Sequence, residues 1–462
     1  MTDKLIRFNA FVMNTVGHQS PGLWRHPRDR SSHYTHIGYW LELAKLCERG
    51  RFDGIFIADV LGAYDVYRGA ADAALHGGVQ VPSNDPLLIV PAMAAATKHL
   101  GFGVTFSLSY EHPFPFARRM STLDHLTNGR VGWNIVTGYL DSAARNLGLP
   151  KQTAHDERYD LAEEYLEVLY KLWEASWEEG AVRRDAAHGV FADPARVHAI
   201  AHRGAHFDVP GFHLSEPSPQ RTPVLYQAGT SSRGRQFAGR HAECVFVSGP
   251  SKAVVAKSVR SIREALVEAG REPDEVLIYA QALIVTDATD AAAEAKLADF
   301  RRHIDREAAL VLLSGWTGVD FSRYPLDATI EYIDTEAGRS ALASFSAADP
   351  TRRWTVGEAA EFIGLGGRGP VIVGGPARVA DELESWIDET GADGFNLAYA
   401  ISPGSFEDVV EFIVPELQRR GRYRSEYSGG TLREKLFSRS AHLPESHPGR
   451  QVRIEAARRA AA

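Results

Sequence analysis

The chain has 462 residues, 44% hydrophobic and 24% charged, with a formal net charge of −8 and a pI near 6.1. That is enough apolar material for a large core, and the acidic balance argues against nucleic acid or an anionic membrane surface as main partner. Two cysteines, Cys47 and Cys244, are too few for a disulfide framework and fit a reducing compartment; the opening MTDKLIRFNAFVM has no apolar stretch behind a basic one, and no apolar run reaches bilayer length, so the expectation is a cytoplasmic protein without membrane spans.

Strand-like and helix-like segments alternate along the chain. IRFNAFVM reads as a first strand, and HIGYWLELAKLCERG as a helix that Gly50 can end. FDGIFIAD is a short buried strand. DPLLIVPAMAAATKHL is a helix with Asp85 as N-cap and Pro86 in its first turn. LGFGVTFSLS, helical PFARRMSTLDHLTNG, RVGWNIVTG and a long amphipathic helix over Asp156–Trp177 follow. The second half repeats the rhythm: TPVLYQAG then SSRGRQFAGRHA, ECVFVSG then KAVVAKSVRSIREALVEAG, EVLIYAQALIVTD, and finally GFNLAYAI with SFEDVVEFIVPELQRRG. About eight strand–helix units predict an α/β fold, a (β/α)8 TIM barrel. Runs such as IFIA and VFV lack alternation, as strands covered on both faces should.

Three stretches exceed a minimal barrel: roughly 60–84, roughly 178–222 and roughly 288–392. They read as insertions in a single domain of residues 1–425, mostly on connections above the C-terminal face of the strands. Residues 426–462 read as an Arg- and Ser-rich tail, loose or wrapped around a neighbouring subunit.

Barrel sites form from polar groups at strand C-termini and in the loops that follow. QAGTSSRG follows a strand and opens a helix, so its N–H groups suit an anion, with Ser231 and Ser232 adding hydroxyl donors. Helix capping by the serine is the simpler alternative. His155 and Tyr159 are four apart and share a helical face; they can hydrogen-bond a phosphate, or they can be ordinary helix-start residues. Asp59 ends the second strand, Thr105 stands near the end of the third, and Asn134 and Thr137 near the end of the fourth. His18 follows the first strand in GHQSPGLW. With an ordinary pKa near 6.5 it can exchange protons at cellular pH, or it can simply pack against Trp24. Tyr64 and Tyr67 can wall a substrate pocket. His202 and His206 in HRGAH find no third ligand and read as a solvated loop; no metal site is expected. Asp124 and His125 read as structural. GLGGRGP and VIVGGP lack the spacing of a dinucleotide fingerprint.

The longer wording is more specific. NTVGHQSPGLWRH, GRFDGIFIADVLGAYDVYRG, RRMSTLDHLTNGRVGWNIVTGYLDSAARNLG, AHDERYDLAEEYLEVLYKLW, PGFHLSEPSPQRTPVLYQAGTSSRGRQFAG and GADGFNLAYAISPGSFEDVVEFIVPELQRRG together resemble the bacterial-luciferase-like flavin monooxygenases. The resemblance runs from about residue 5 to 440 and points to the nitrilotriacetate monooxygenase component A branch, which includes dibenzothiophene-sulfone and long-chain alkane monooxygenases. It implies that Asp59, Thr105, His155, Tyr159 and Ser231 bind FMN, with Ser231 on its phosphate, and that Asn134 and Thr137 lie by the isoalloxazine. It implies a two-component enzyme: an NAD(P)H:flavin reductase supplies FMNH2, O2 adds at the flavin C4a as a hydroperoxide, and one oxygen atom passes to a small apolar substrate, with organosulfur compounds nearest in wording. His18 is then the candidate for proton transfer. A homodimer or homotetramer is also implied. The alternatives are a deazaflavin-dependent reductase on the same barrel and a flavin-binding protein without catalysis; a metal hydrolase lacks a ligand set.

Overall fold

The computed structural model describes residues 4–229, 231–331, 339–346 and 352–461. Eight parallel strands close on themselves: β1 Arg7–Met13, β2 Gly54–Ala58, β3 Gly101–Ser107, β4 Val131–Val136, β5 Val224–Gln227, β6 Cys244–Val247, β7 Leu277–Thr286 and β8 Gly394–Ala398. Each pairs with the next, and β8 returns to β1. This is the expected (β/α)8 barrel. Both faces of the strands are buried, which explains the unbroken apolar runs: Ile55, Ile57, Val245 and Val247 pack outward on helices, while Phe56, Tyr226, Phe246 and Tyr279 fill the lumen.

The outer ring includes α1 Ile37–Arg49, α2 Val90–Ala95, α3 Pro113–Leu126, α4 His155–Tyr170, α5 Ser232–His241 and α6 Lys252–Glu268. α2 is shorter than the sequence suggests. Asp85 does cap, accepting from Leu87 N at 2.8 Å, but it caps a single tight turn over Pro86–Leu88, and α2 begins only at Val90. Between β7 and β8 lie α7 Asp290–His303, α8 Arg306–Thr317, α9 Val356–Ile363, the short strand Val371–Gly374, which extends the sheet beside β7, and α10 Pro376–Thr390. α10 packs against α6 and against α11 Val414–Arg419, the end of the last barrel helix, and so takes a place in the ring. The material above the barrel in this connection therefore ends near Gly375, before the expected boundary. Residues 332–338 and 347–351 of it, and Thr230, lie outside the described residues. Helices α8 and α9 form a second core with Tyr64, Tyr67 and Val79 from the loop after β2.

The described part of the tail packs on its own barrel. α12 Leu432–Phe437 closes the N-terminal end of the barrel, with Leu432 and Leu436 packed beneath Phe56, Tyr226 and Tyr279. Arg433 donates to both carboxylate oxygens of Glu243, at 2.6 and 2.8 Å, and to Thr222 O at 2.9 Å. Nearby, Asp53 accepts from Arg7 at 3.2 Å, from Tyr279 at 2.8 Å and from Arg424. Burial pushes its carboxyl up, but Arg424 and Arg7 more than offset this and hold it below the usual range. α13 Pro448–Ala461 lies along the end of α4.

Candidate active site

The opposite, C-terminal end of the barrel is open and polar. Two adjoining cavities of ≈ 270 and ≈ 180 Å3 share Val136, Tyr139, Ala228, Trp316 and Arg368. Together they are the size of an ordinary small-molecule site, roughly 300–1,000 Å3.

The larger one is built where β4 and β5 hand over to α4 and α5, and Thr137, His155, Tyr159 and Ser231 line it. Ser231 caps α5, accepting from Gly234 N at 3.0 Å, and its hydroxyl stands 3.3 Å from His155 Nε2. The cap is therefore real, and it sets the N-terminus of a ten-residue helix beside the cavity that Ser231 lines. The Tyr159 hydroxyl reaches Ser231 as well. Glycines make this convergence possible: a Cβ on Gly229 or Gly234 would come within 2.8 or 2.9 Å of that hydroxyl. Arg158, buried on the same turn of α4, lines the cavity and donates to Thr153 O at 2.8 Å. Ser232 is exposed and does not line it. The serines are adjacent, but the helix start turns only the capping hydroxyl inward.

The smaller cavity sits over the lumen, floored by Phe11, Phe56 and Phe246, with Asp59, Thr105, Asn134, Gln281 and Asn396 around it. Asn134 Nδ2 donates to Thr105 Oγ1 at 2.9 Å. Asn134 Oδ1, Asn396 Oδ1, Gln227 Oε1 and His18 Nδ1 are buried without a hydrogen-bond partner among the described residues. Buried polar atoms are nearly always partnered, so four orphans around these two adjoining cavities mark a place prepared for a polar-edged ligand. Burial and the neighbouring Asp85 push the Asp59 carboxyl up to about 7.

His18 is fully enclosed, edge-on to Phe11 at 4.4 Å. Trp24, the packing partner considered from sequence, instead donates to Gly77 O at 3.0 Å. Burial lowers the His18 pKa to about 3, so the ring is neutral at cellular pH and does not titrate near 6.5 as its sequence suggested. A relay sets its tautomer. Gln281 Nε2 donates to Gly366 O at 2.8 Å and to Gln19 Oε1 at 3.3 Å, which turns the Gln19 amide N–H toward His18 Nε2 at 3.1 Å. The ring proton therefore sits on Nδ1.

Tyr64 lines the cavity, donating to Gln80 Oε1 at 2.9 Å and paired with the Tyr139 hydroxyl at 2.7 Å. Tyr67 does not reach it; it packs in the second core beneath Arg68. Sequence reasoning missed Gln19, Gln80, Tyr139, Arg158, Gln281, Trp316, Arg368 and Asn396. Gln281 and Asn396 lie on barrel strands and so carry a positional signal; Trp316 and Arg368 carry none. Other sequence readings resolve plainly. His202 is not solvated: it is buried and 3.2 Å from Glu164 Oε1. Asp124 is structural, accepting from Gln220 N and Nε2 at 2.8 and 2.7 Å. Far from the cavity, His26, Asp299 and His303 bring ligand atoms within 4.8 Å of one another. No helix of the described residues is long and apolar enough to cross a membrane.

Residues 14–394 match the family described as luciferase-like monooxygenase. The chain belongs to the luciferase-like monooxygenases. It is 49% identical to dimethyl-sulfide monooxygenase of Hyphomicrobium sulfonivorans, over 97% of this chain and 94% of that one. It is 48% identical to long-chain alkane monooxygenase of Geobacillus thermodenitrificans, over 96% and 97%. The crystal structure of the Hyphomicrobium protein, DmoA, superposes with a TM-score of 0.91, covering 97% of this chain and 96% of that one. A riboflavin lyase solved with modified FMN and riboflavin superposes at 0.90 with 37% identity, covering 97% and 100%. This luciferase-like protein is a flavin-dependent monooxygenase.

Proposed function

We propose that this chain is the oxygenating half of a two-component system, taking FMNH2 from a separate NAD(P)H:flavin reductase and inserting one oxygen atom of O2 into a small organosulfur substrate. The observation that carries the reading is the pairing of an anion cradle with orphaned polar atoms in two adjoining cavities. Ser231, Tyr159, His155, Arg158 and the α5 N-terminus suit a phosphate: two hydroxyls, a histidine, a guanidinium and a helix dipole converge there. Asn134, Asn396, Gln227 and His18 suit the alternating donors and acceptors around an isoalloxazine edge. Thr137 lines the same cavity as the phosphate cradle.

Reduced FMN, when bound, would supply the electrons and the oxygen activation; one oxygen atom goes to the substrate and the other leaves as water. The chain's own work is binding, orientation, exclusion of water and placement of protons. His18 offers a fixed N–H from Nδ1 without carrying charge. Asp59 holds or releases a proton near pH 7 and so suits exchange with solvent. Phe11, Phe56, Phe246 and Trp316 give the apolar wall. The resemblance of the chain to dimethyl-sulfide monooxygenase supports sulfur as the oxidised atom.

The decisive trial supplies FMNH2 from a generic reductase and scores product against H2O2 over sulfides, sulfones, amines and alkanes. Product from a sulfide, with little peroxide, is expected. Hydride transfer without oxygen uptake would favour a deazaflavin-type reductase; tight capture of oxidised FMN with no turnover would favour a binding protein.

A further inference from the structure

Among the described residues, Arg368 stands in the cavity without a counter-charge. It belongs to the Gly-rich stretch 364–370, whose backbone passes so close to the barrel that a Cβ on Gly367 (φ +72°) would come within 1.9 Å of the Gln19 amide oxygen. That approach sets the guanidinium on the wall shared by both cavities. Its Cζ lies 5.5 Å from the Trp316 ring centroid, and the hydroxyls of Tyr64 and Tyr139 act on its charge. Among the described residues no carboxylate pairs with it and its side chain makes no hydrogen bond. Asp59 shares the cavity without forming an ion pair with it.

Several other enclosed arginines are treated differently. Arg7 has Asp53, Arg271 has Glu275, Arg433 has Glu243, and Arg130 donates to the carbonyls of Ala94, Thr97, Leu100 and Thr127. Burial works against the Arg368 charge as well, and a desolvated cation without a partner is costly. Trp316 compensates in part. An anionic ligand in the cavity would supply the rest.

The position separates two ligands. The phosphate cradle has its own donors at Ser231, Tyr159 and Arg158. Arg368 and Trp316 come instead from the long connection above the barrel, and Tyr64 and Tyr139 from the loops after β2 and β4. They face the cavity from the lid side, opposite the floor of Phe11, Phe56 and Phe246.

We propose that Arg368 anchors the substrate: the acceptor carries an oxyanion, a carboxylate or sulfonate, that pairs with this guanidinium across the Trp316 ring while its oxidisable end reaches the apolar floor. The proposal rests on the monooxygenase reading and narrows its substrate class from neutral sulfides to anionic ones. Bidentate pairing with a planar carboxylate is what a guanidinium does best.

The test uses full-length protein loaded with oxidised FMN, read by the flavin difference spectrum, so it needs no turnover. The probes are 3-(methylthio)propionate and its methyl ester. The acid should bind at least about tenfold tighter than the ester. Arg368→Gln should abolish that preference and Arg368→Lys should keep part of it, with FMN affinity changed less than about threefold. Equal binding of acid and ester to the unmodified protein overturns the proposal, and that comparison requires no variant to fold. So does a preference that survives in Arg368→Gln. If Arg368→Gln weakens FMN more than about tenfold and leaves the acid preference intact, the residue serves the flavin. If the acid preference holds but no thioether yields oxygenated product with FMNH2 and O2, the anion site stands and the reaction class falls.

Discussion

Burial moves protonation at His18 and Asp59 in opposite ways. It strips the histidine of its proton until about pH 3 and lets the aspartate keep one until about pH 7. A pH–rate profile should therefore carry a limb near 7 that disappears in Asp59→Asn, and no limb near 6.5 assignable to His18. The linkage sign follows. Asp59 has a folded pKa above its unfolded value, so the free protein loses stability as pH rises from about 4 to about 7. Asp59→Asn should raise the thermal midpoint of the ligand-free protein at pH 8 and leave it nearly unchanged at pH 4; equal shifts at both would show that the carboxyl is not the cause. Ser231→Ala removes one hydrogen bond to a charged oxygen, about 1.5–3 kcal/mol, so FMN should dissociate roughly 10- to 100-fold more readily by fluorescence titration while product identity is unchanged. His18→Asn should do the reverse, retaining FMN and raising H2O2 leakage. These residues were legible in the sequence because each ends a strand, opens a helix or lies in the loop just after a strand. Arg368 and Trp316 were not, since no spacing in the chain places a β7 insertion over the lumen. Tyr67 and Ser232 mark the other limit: being next to a site in sequence does not turn a side chain into it.

At the scale of elements, the alternation of apolar runs with amphipathic segments was enough for the strands, because parallel strands buried on both faces have nowhere to show polarity. Helix ends were harder. The Pro86 turn breaks what reads as one long helix, and α10 looks like insertion but fills the ring. The tail was the largest surprise, for a physical reason. Its sequence is Arg- and Ser-rich, yet Arg433 is buried against Glu243 and Lys435 donates to His99 O at 3.0 Å, so α12 can seat Leu432 and Leu436 under the barrel. Arg433→Ala leaves Glu243 buried and unpaired, a loss of about 3–5 kcal/mol, whereas Arg433→Met with Glu243→Leu should recover most of it in denaturant titrations. If the single variant is as stable as the parent, the helix does not plug the barrel.

For the whole molecule, the division of labour is axial. The N-terminal end of the barrel is sealed by ion pairs and the C-terminal helices, which hold the strands in register; the C-terminal end is left open, polar and covered by the loop after β2 and the α8–α9 insertion. Fold and family followed from pattern and wording together. The substrate did not, because it is decided by a few side chains on connections whose placement only the structure gives. The central claim, that this cavity spends FMNH2 on oxygenating a substrate, is tested most directly with 18O2: FMNH2 from a separate reductase, a sulfide acceptor, and mass spectrometry of product beside a peroxide assay. The account predicts one labelled oxygen atom in the product for each FMNH2 oxidised, with peroxide a minor fraction. Complete recovery of the label as H2O2 with every acceptor class, or label-free product, would contradict it.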